Sequence, residues 1–372
     1  MKLTIDRGAL LKSLSHVQNV VERRNTIPIL SNVLINATGN HMGLTATDLD
    51  LTVEEQVAAQ VSAPGALTVG AHTLYDIVRK LPDGAETELQ ASADGAQLVL
   101  RAGRSRFSLS TLPKDDFPQV GAGELPHHFT LASEDLKNLI DRTRFAISTE
   151  ETRYYLNGIY LHAYKTGKQP VLRAVATDGH RLARFEMPLP DGAVEMPGVI
   201  VPRKLVAELR KLLDEAEGDV AISVSDTRIR LGFNGIVLTS KLIDGNFPDY
   251  QRVIPTANDK IVEIDRKEFR DAVDRVSTIS NEKSRAIKLN LKSGAIALSA
   301  TSIDQGSALE EMEIKYEGPD IEVGFNSKYL LDIAEQIDGE GMQMVLADAV
   351  APALIRDLAD ASALYVLMPM RV

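Results

Sequence analysis

Apolar residues recur at helical spacing in six separate stretches of the chain. In each stretch they stand at i, i+3 and i+4, so one stripe of a helix faces a core while the opposite face stays in water. Several stretches begin with Asp, Ser or Asn, or have Pro in the first turn, as helix starts do. The pattern predicts six amphipathic helices, over residues 6–21, 71–81, 132–145, 202–212, 265–276 and 326–337.

Alternating apolar and polar positions mark strand-like runs between these helices. The clearest runs are 105–112, 227–242 and 362–370. The first two lead into Phe117-Pro118 and Phe247-Pro248, which are 130 residues apart. Because proline cannot continue a central strand, each Phe-Pro pair is interpreted as the exit from a domain. Grouped helices and strands of this kind predict an α+β protein.

Similar sequence stretches recur along the chain at long intervals. Residues 44–57, "LTATDLDLTVEEQV", resemble 174–187, "AVATDGHRLARFEM", and 298–314 are a fainter third copy. The period is too long for a solenoid repeat. The chain is therefore predicted to hold three tandem repeats of a two-helix, two-sheet module. The predicted module limits are 1–124, 125–253 and 254–372.

Composition excludes several classes of protein. Hydrophobic residues make up 44% and charged residues 25% of the chain, as in ordinary globular proteins. The absence of cysteine excludes disulfides and thiolate chemistry. The first residues, Met1–Arg7, meet charge too early for a signal peptide, and no apolar run approaches the length of a membrane span. We expect a cytoplasmic protein with no membrane partner.

The net charge of −11 argues against nucleic-acid binding unless the charges are segregated. The six predicted helical stretches, the first extended to residue 24, carry a net charge of +5, so the rest of the chain is strongly acidic. On 202–212 we expect Arg203, Lys204, Arg210 and Lys211 to project away from the core. A modest basic surface suits contacts with phosphates that carry no sequence information. Ordinary solvated helix surface is the alternative.

Residues 177–181, "TDGHR", combine a carboxylate, a histidine and a guanidinium around a glycine. Catalysis there would need a partner base, nucleophile or metal ligand. The seven histidines form no HxH or HExxH pattern, and no phosphate-binding glycine-lysine loop is present. We therefore expect no enzyme, no cofactor and no metal, with Asp178-Gly179 forming a tight turn between strands. A metal-dependent phosphoesterase using Asp178 and His180, and a protein scaffold that never meets DNA, are the rival hypotheses.

Several stretches together resemble the bacterial sliding clamp family, the beta subunit of DNA polymerase III. They are "TIPILSNVLI" (26–35), "SRFSLSTLPKDDFP" (105–118), "RYYLNGIYL" (153–161), "ATDGHRLA" (176–183), "NFPDYQRVIP" (246–255) and "YVLMPMRV" (365–372). The resemblance implies the DNA clamp fold, with each chain forming half of a closed ring in a head-to-tail homodimer. Such a ring encircles duplex DNA independently of sequence, tethers the replicative polymerase for processivity and catalyses nothing.

The resemblance also implies a hydrophobic cleft that binds short peptide motifs of partner proteins. The implied partners are the replicative polymerase alpha subunit, the clamp loader, and other polymerases and repair proteins. Methionines around Pro369 suit a pocket for varied peptides, because thioethers repack easily. Pro352 departs from the small polar residue expected at the rim. The implied cleft residues are Leu156, Thr177, Gly179, His180, Arg181, Leu182, Pro248, Arg252, Val253, Asn326, Tyr329, Val366, Met368, Pro369, Met370 and Arg371.

Two further sets of residues complete the expectations. The family positions point to Arg24, Arg153, Tyr154 and Tyr155 as DNA contacts, in addition to the four basic residues of 202–212, although Glu150 lies beside this set and weakens the local case. The expected ring joint pairs the strand around Phe107 and Leu109 with a second copy near Ile279. Across that joint Arg104 and Arg106 would face Glu310 and Glu311.

Overall fold

Each predicted helical stretch is an α-helix in the computed structural model, which describes residues 1–23, 25–119, 121, 123–166, 169–280 and 285–371. The helices are α1 Arg7–Gln18, α2 Ala71–Lys80, α3 Ser133–Arg144, α4 Arg203–Leu212, α5 Arg266–Ser277 and α6 Ser327–Ala334. Asp6 and Asp265 cap two of them, since their carboxylates accept the N–H of Ala9 (2.9 Å) and of Glu268 (2.8 Å). Helices α1 and α6 end earlier than predicted, because the chain continues there in i→i+3 turns.

Twenty-five strands are formed within the described residues. They are β1 Lys2–Asp6, β2 Asn32–Thr38, β3 His41–Thr47, β4 Leu51–Ala58, β5 Gln60–Ala63, β6 Gly65–Gly70, β7 Glu86–Ala91, β8 Gln97–Ala102, β9 Ser105–Leu112, β10 His127–Ala132, β11 Gly158–Thr166, β12 Gln169–Thr177, β13 Arg181–Pro188, β14 Val199–Pro202, β15 Asp219–Val224, β16 Arg228–Phe233, β17 Ile236–Lys241, β18 Lys260–Asp265, β19 Ala286–Lys292, β20 Ala295–Ser302, β21 Gly306–Glu313, β22 Ile321–Asn326, β23 Gly341–Leu346, β24 Ala353–Asp357 and β25 Ala363–Leu367.

Two of the three predicted strand runs differ from the structure. The run 227–242 is a hairpin, because Asn234 and Gly235 both adopt positive φ (49° and 78°) and turn the chain between β16 and β17. An Asn-Gly pair is the usual two-residue turn of a hairpin. The last run ends at Leu367, and Met370 then forms only an isolated bridge with Gly324.

The chain forms two compact units. The first comprises residues 1–136, 190–197 and 204–242, and it holds a thirteen-stranded sheet in the order β10-β15-β16-β17-β4-β3-β2-β6-β9-β8-β7-β1-β5. In this sheet β17 pairs antiparallel with β4, from Ile236 opposite Glu55 to Ser240 opposite Leu51. Main-chain hydrogen bonds therefore join a strand of the first third of the chain to a strand of the second third within this unit.

The second unit comprises residues 137–189, 198–203 and 243–372. It holds an eight-stranded sheet, β14-β11-β12-β13-β25-β24-β23-β18, and a four-stranded sheet, β21-β20-β19-β22. Here β13 pairs antiparallel with β25, from Arg181 opposite Leu367 to Phe185 opposite Ala363. The units follow the sheets rather than the sequence repeats, so the predicted module limits remain predictions.

Each unit buries the apolar stripes of its helices. In the first unit α1 packs against α2, β3 and β4 and buries Leu10, Leu14 and Val17. In the second unit α5 packs against α6 and β20 and buries Phe269 and Val273. Each such side chain contributes about 1.5–3 kcal/mol relative to exposure. This burial explains why helical periodicity was a reliable signal.

Candidate functional site

The stretch Thr177–Arg181 is the loop between β12 and β13, and its own side chains hold it. Asp178 Oδ1 accepts the N–H groups of His180 (2.9 Å) and Arg181 (3.0 Å), and Thr177 Oγ1 donates to the Arg181 carbonyl (2.7 Å). Gly179 has φ of 88°, which favours glycine. The predicted tight turn at Asp178-Gly179 is confirmed.

The first repeat contains the same turn. Asp48 Oδ1 accepts the N–H groups of Asp50 (2.9 Å) and Leu51 (2.7 Å), and Thr47 Oγ1 donates to the Leu51 carbonyl (3.1 Å). Leu49, with φ of 78°, stands where the second repeat has Gly179. The sequence repeat thus extends to individual hydrogen bonds. Asp178, like Asp48 in the first repeat, has a structural role, because its carboxylate holds the turn.

Arg181 fastens this hairpin to neighbouring elements. Its side chain contacts Asp178 Oδ2 (3.1 Å), Asp332 Oδ2 of α6 (2.5 Å) and the Phe145 carbonyl (2.5 Å). The guanidinium carbon also lies 4.3 Å from the centre of the Tyr329 ring. Because Arg181 is only 8% exposed, it offers a ligand almost no surface. Sequence reasoning missed its partners Asp332 and Phe145, which no local pattern marks.

The C-terminal segment runs between the hairpin and β22. The Met368 N–H donates to the His180 carbonyl (2.9 Å), and the Met370 N–H donates to the Gly324 carbonyl (2.9 Å). The His180 ring stacks with Tyr329 of α6, with ring centres 6.4 Å apart. Backbone hydrogen bonds and this stacking bring residues of β13, α6 and the C-terminal segment into one place.

A buried apolar cluster lies within the same unit. Val175, Leu182, Tyr250 and Val366 form it, and Tyr160, Phe247, Ile254, Leu354 and Leu364 pack against it. Val253 and Met368 remain 47% and 42% exposed. A surface that binds ligands combines buried apolar residues beneath it with exposed apolar side chains, as here. Sequence reasoning missed the supporting residues Tyr160, Phe247, Ile254 and Leu354.

The predicted cleft residues fall into three classes of exposure. Leu156, Arg181, Leu182 and Val366 are buried; Thr177, Asn326, Tyr329, Pro369 and Met370 are half-buried; Gly179, His180, Pro248, Arg252, Val253, Met368 and Arg371 are exposed. The buried group can shape a cleft but can give a ligand little direct contact.

The predicted DNA contacts around Arg153 include an ion pair. Arg153 donates to both Glu150 oxygens (2.8 and 2.7 Å) and to the Asp178 carbonyl (2.9 Å). The Arg153 hydrogen bond lowers the pKa of Glu150, so this pair stays charged and internally neutralised. Tyr154 is exposed and stacks edge-on against Tyr155. Arg24 lies outside the described residues.

The four basic residues of α4 differ in exposure. Arg203 and Lys211 are exposed, and Lys211 pairs with Glu208 (2.9 Å). Lys204 forms an ion pair with Asp48 and donates to the Val20 carbonyl (3.3 Å). The Arg210 side chain is only 16% exposed and pairs with Asp214. Acidic groups therefore engage Lys204, whose side chain is 37% exposed, and Arg210, and the prediction that all four side chains project away from the core stays a prediction.

Strands β9 and β21 each leave an edge unpaired within the described part of the chain. Strand β9 meets β6 only at its last two residues, so residues 105–110 pair with β8 alone, and β21 pairs with β20 alone. Phe107, Leu109 and Ile279 are half-buried, whereas Arg104, Arg106 and Glu311 are exposed. Arg275 of α5 of the same chain holds the Glu310 carboxylate (2.5 and 3.1 Å), and the contact of Glu310 across the joint stays a prediction.

The residues that the structure describes contain no group of three or more His, Asp or Glu side chains placed to hold a metal ion. Among them, no helix combines the length and the apolar character that crossing a bilayer requires.

The three thirds of the chain match, in order, three domains of one protein. Residues 1–121 match the N-terminal domain of the DNA polymerase III beta subunit, 130–249 its central domain and 251–371 its C-terminal domain. Together with the α+β fold, these matches define a DNA sliding clamp with three domains.

Individual relatives are similar along their whole length. The beta sliding clamp of Caulobacter vibrioides is 54% identical over 372 residues, which cover 100% of both chains. A crystal structure of the C. crescentus beta sliding clamp with bound PEG has a TM-score of 0.98 at 54% identity and covers 100% of this chain and 99% of that one. The sliding clamp of Bartonella birtlesii bound to griselimycin has a TM-score of 0.97 at 53% identity, with both chains fully covered.

The chain therefore belongs to the DNA polymerase III beta subunit family, and the resemblance noted from the sequence is confirmed. As a sliding clamp it is a non-catalytic processivity factor of DNA replication. The enzyme hypothesis fails on this finding, and Asp178 is engaged in the turn and with Arg181.

Proposed function

We propose that this sliding clamp binds short peptide segments of partner proteins on the surface formed by the sixteen cleft residues named above. The observation that carries the proposal is the buried cluster around Leu182 and Val366 beside the exposed Val253 and Met368. The Bartonella birtlesii relative is bound to griselimycin, which supports a ligand site on this fold. The proposed partners are the polymerase alpha subunit, the clamp loader, and other polymerases and repair proteins.

The chemistry of this surface suits weak, exchangeable binding. Two apolar anchor side chains contribute about 1.5–3 kcal/mol each before ordering costs, less in total than the roughly 8 kcal/mol of micromolar binding, so the anchors alone hold a short peptide only weakly. Half-buried and exposed methionines adapt to differently shaped anchors. Partners could therefore succeed one another on the same clamp.

We further propose that two chains join head to tail, each forming half of a closed ring built from two-helix modules. The free edge of β9 and the free edge of β21 support this joint, because unpaired edges favour pairing with another strand. Arg104 and Arg106 beside one edge complement the exposed Glu311 beside the other. A head-to-tail contact makes a finite ring only when its rotation closes.

In this proposal the ring encloses duplex DNA in the cytoplasm and retains it by topology. Contacts to phosphate then need only be weak, and the exposed Arg203 and Lys211 of α4 suit them. Tyr154 and Tyr155 remain proposed contacts, as does Arg153, whose charge Glu150 already offsets. Lys204 and Arg210 would contribute mainly to structure.

The cleft proposal is tested by isothermal titration calorimetry with griselimycin as the probe. The double substitution Val253→Ala and Met368→Ala removes exposed apolar surface, so we expect affinity to fall about tenfold. These positions are preferable to Leu182, because truncating a buried leucine costs about 2–5 kcal/mol of stability and would confuse the result.

Val194→Ala is the matched control, since Val194 is a similarly exposed valine in the first unit. It should bind griselimycin as the unmodified protein does. Equal affinity of the Val253 and Met368 double variant would refute the assigned cleft.

A further inference from the structure

An aromatic row along β11 supports the segment that carries Val253. Tyr160 and His162 lie on one face of the strand, with ring centres 4.6 Å apart. The Phe247 ring lies parallel to Tyr160 at 4.9 Å, and Tyr250 lies 5.9 Å from His162. The segment from Phe247 to Val253 therefore rests on β11 through these rings.

Hydrogen bonds run through this row in one direction. His162 Nδ1 lies 3.1 Å from the Ala163 carbonyl, which can only accept, so Nδ1 carries the proton. In the neutral imidazole Nε2 is then an acceptor, and it lies 3.0 Å from the Tyr250 hydroxyl. Arg173 Nη1 donates to the same hydroxyl at 2.7 Å. Tyr250 thus accepts from Arg173 and donates to His162.

The charges around His162 oppose its protonation. Arg173 on β12 is buried, and Arg173 and Arg184 share the single carboxylate of Glu186 on β13. Burial lowers the pKa of His162; the Ala163 carbonyl opposes this, Arg173 adds to it, and Glu186 opposes it. Tyr160 and Tyr164 flank the imidazole on its own strand. A proton on His162 would add a second cation beside Arg173, with Glu186 as the carboxylate that acts on both.

We propose that His162 is a positioning residue of the cleft, whose neutral form holds Tyr250 and, through it, the Phe247–Val253 segment in the ligand-binding arrangement. This inference rests on the proposed function above. When His162 is protonated, both ring nitrogens become donors, and the Tyr250 hydroxyl can no longer donate to Nε2. Ligand affinity should therefore fall in acid although no ligand atom touches His162.

The test is calorimetric titration of the full chain with griselimycin from neutral pH down into acid, past the ordinary titration range of histidine, because the pKa of His162 is lowered. The unmodified protein should bind with constant affinity at neutral pH and above, and more weakly in acid below the ordinary histidine range, because burial lowers the pKa of His162. His162→Gln places an amide oxygen near Nε2, accepts from Tyr250 and does not titrate. At neutral pH this variant should bind griselimycin with the affinity of the unmodified protein. In acid its affinity should fall less than that of the unmodified protein.

His162→Leu removes the acceptor and should weaken binding about tenfold at neutral pH, in the range expected for an unsatisfied buried hydroxyl. Tyr250→Phe should weaken binding similarly. The two substitutions together should cost no more than the larger single one, because both break one chain of hydrogen bonds. His72→Leu is the matched control, since His72 is a half-buried histidine with two hydrogen bonds in the first unit.

The outcomes separate this inference from the cleft proposal. If the unmodified protein binds about tenfold more tightly than the Val253 and Met368 double variant, the cleft stands. Identical pH profiles for the unmodified protein and His162→Gln would then overturn the role of His162, as would additive losses in the double variant. Both proteins retain the exposed His180, so any contribution of His180 to binding is common to the two profiles. If His162→Leu does not fold, the His162→Gln profile still decides.

Discussion

At the scale of single residues, the "TDGHR" stretch demonstrates how a reactive-looking group can be structural. Asp178, Thr177 and Gly179 build the turn, Arg181 fastens it, and only Gly179 and His180 face solvent. The sequence predicted the turn because aspartate and glycine favour it locally. The sequence did not predict positive φ at Leu49, because leucine rarely adopts it.

Gly179→Ala should destabilise the protein by about 1–2 kcal/mol, because a Cβ at positive φ is strained. The added carbon would also lie 2.5 Å from Arg153 Nη1, so the arginine must move away from the Asp178 carbonyl. Urea unfolding measures the loss. The matched variant is Leu49→Gly at the corresponding turn, which should be neutral or slightly stabilising. A Gly179→Ala protein as stable as the unmodified one would contradict this account of the turn.

At the scale of elements, a charged cluster with a buried pair, His16 and Glu55, links α1 to β4 and to the chain beyond α4. His16 Nδ1 lies 2.9 Å from Glu55 Oε2, and Nε2 lies 3.7 Å from Glu215 Oε2. Ser13 donates to Glu55 (2.8 Å), and Lys12 pairs with Glu215 (2.6 Å). Helical periodicity predicted α1 but gave no reason to expect this cluster, because its members are distant in sequence.

The His16 cluster makes stability depend on pH. Burial favours neutral His16, but the hydrogen bond and charge of Glu55, with the charge of Glu215, outweigh burial and raise the pKa of His16 above 6.5. A raised pKa means that the contribution is complete below about pH 6.5 and is lost as pH rises through the folded-state pKa. His16→Gln should therefore cost most stability in mild acid and progressively less towards alkaline pH.

Urea unfolding at several pH values checks this prediction. In a Glu55→Gln background the same His16 substitution should lose most of its pH dependence, because the main raising partner is gone. An equal cost of His16→Gln at pH 6 and pH 9, within about 0.3 kcal/mol, would speak against a protonated His16 in the folded protein.

At the scale of the whole molecule, strand pairing joins segments that are distant in sequence. Strand β17 continues the sheet of β4, and β13 continues into β25, each through five opposed residue pairs. Repeats and amphipathic periods predicted the helices and the α+β class, since those signals are local. They could not predict which strands pair, that Tyr160 packs against the cluster around Leu182, or that Asp332 and Phe145 hold Arg181, because such contacts join distant segments.

The ring proposal predicts the effect of a charge at its joint. Ile279→Asp should convert the dimer to a monomer, because a carboxylate would be buried without a partner. Analytical ultracentrifugation measures the mass. Ile261→Asp, at an exposed isoleucine on β18, is the control and should remain dimeric.

Retention on DNA gives an independent readout of the ring. The unmodified protein should stay on nicked circular DNA and leave once the circle is linearised, whereas the Ile279→Asp variant should not be retained on either. If the Ile279→Asp variant remained a dimer and was still retained on nicked circular DNA, the proposed joint would be excluded.

The exposed Met368 has a practical consequence for handling the protein. The chain has no cysteine, so mild oxidants will act mainly on thioethers, and Met368 is among the accessible ones. A sulfoxide there would turn an apolar contact surface polar while leaving the folded core untouched. Aged preparations could thus lose ligand affinity with no change in melting temperature, and treatment with methionine sulfoxide reductase would restore it.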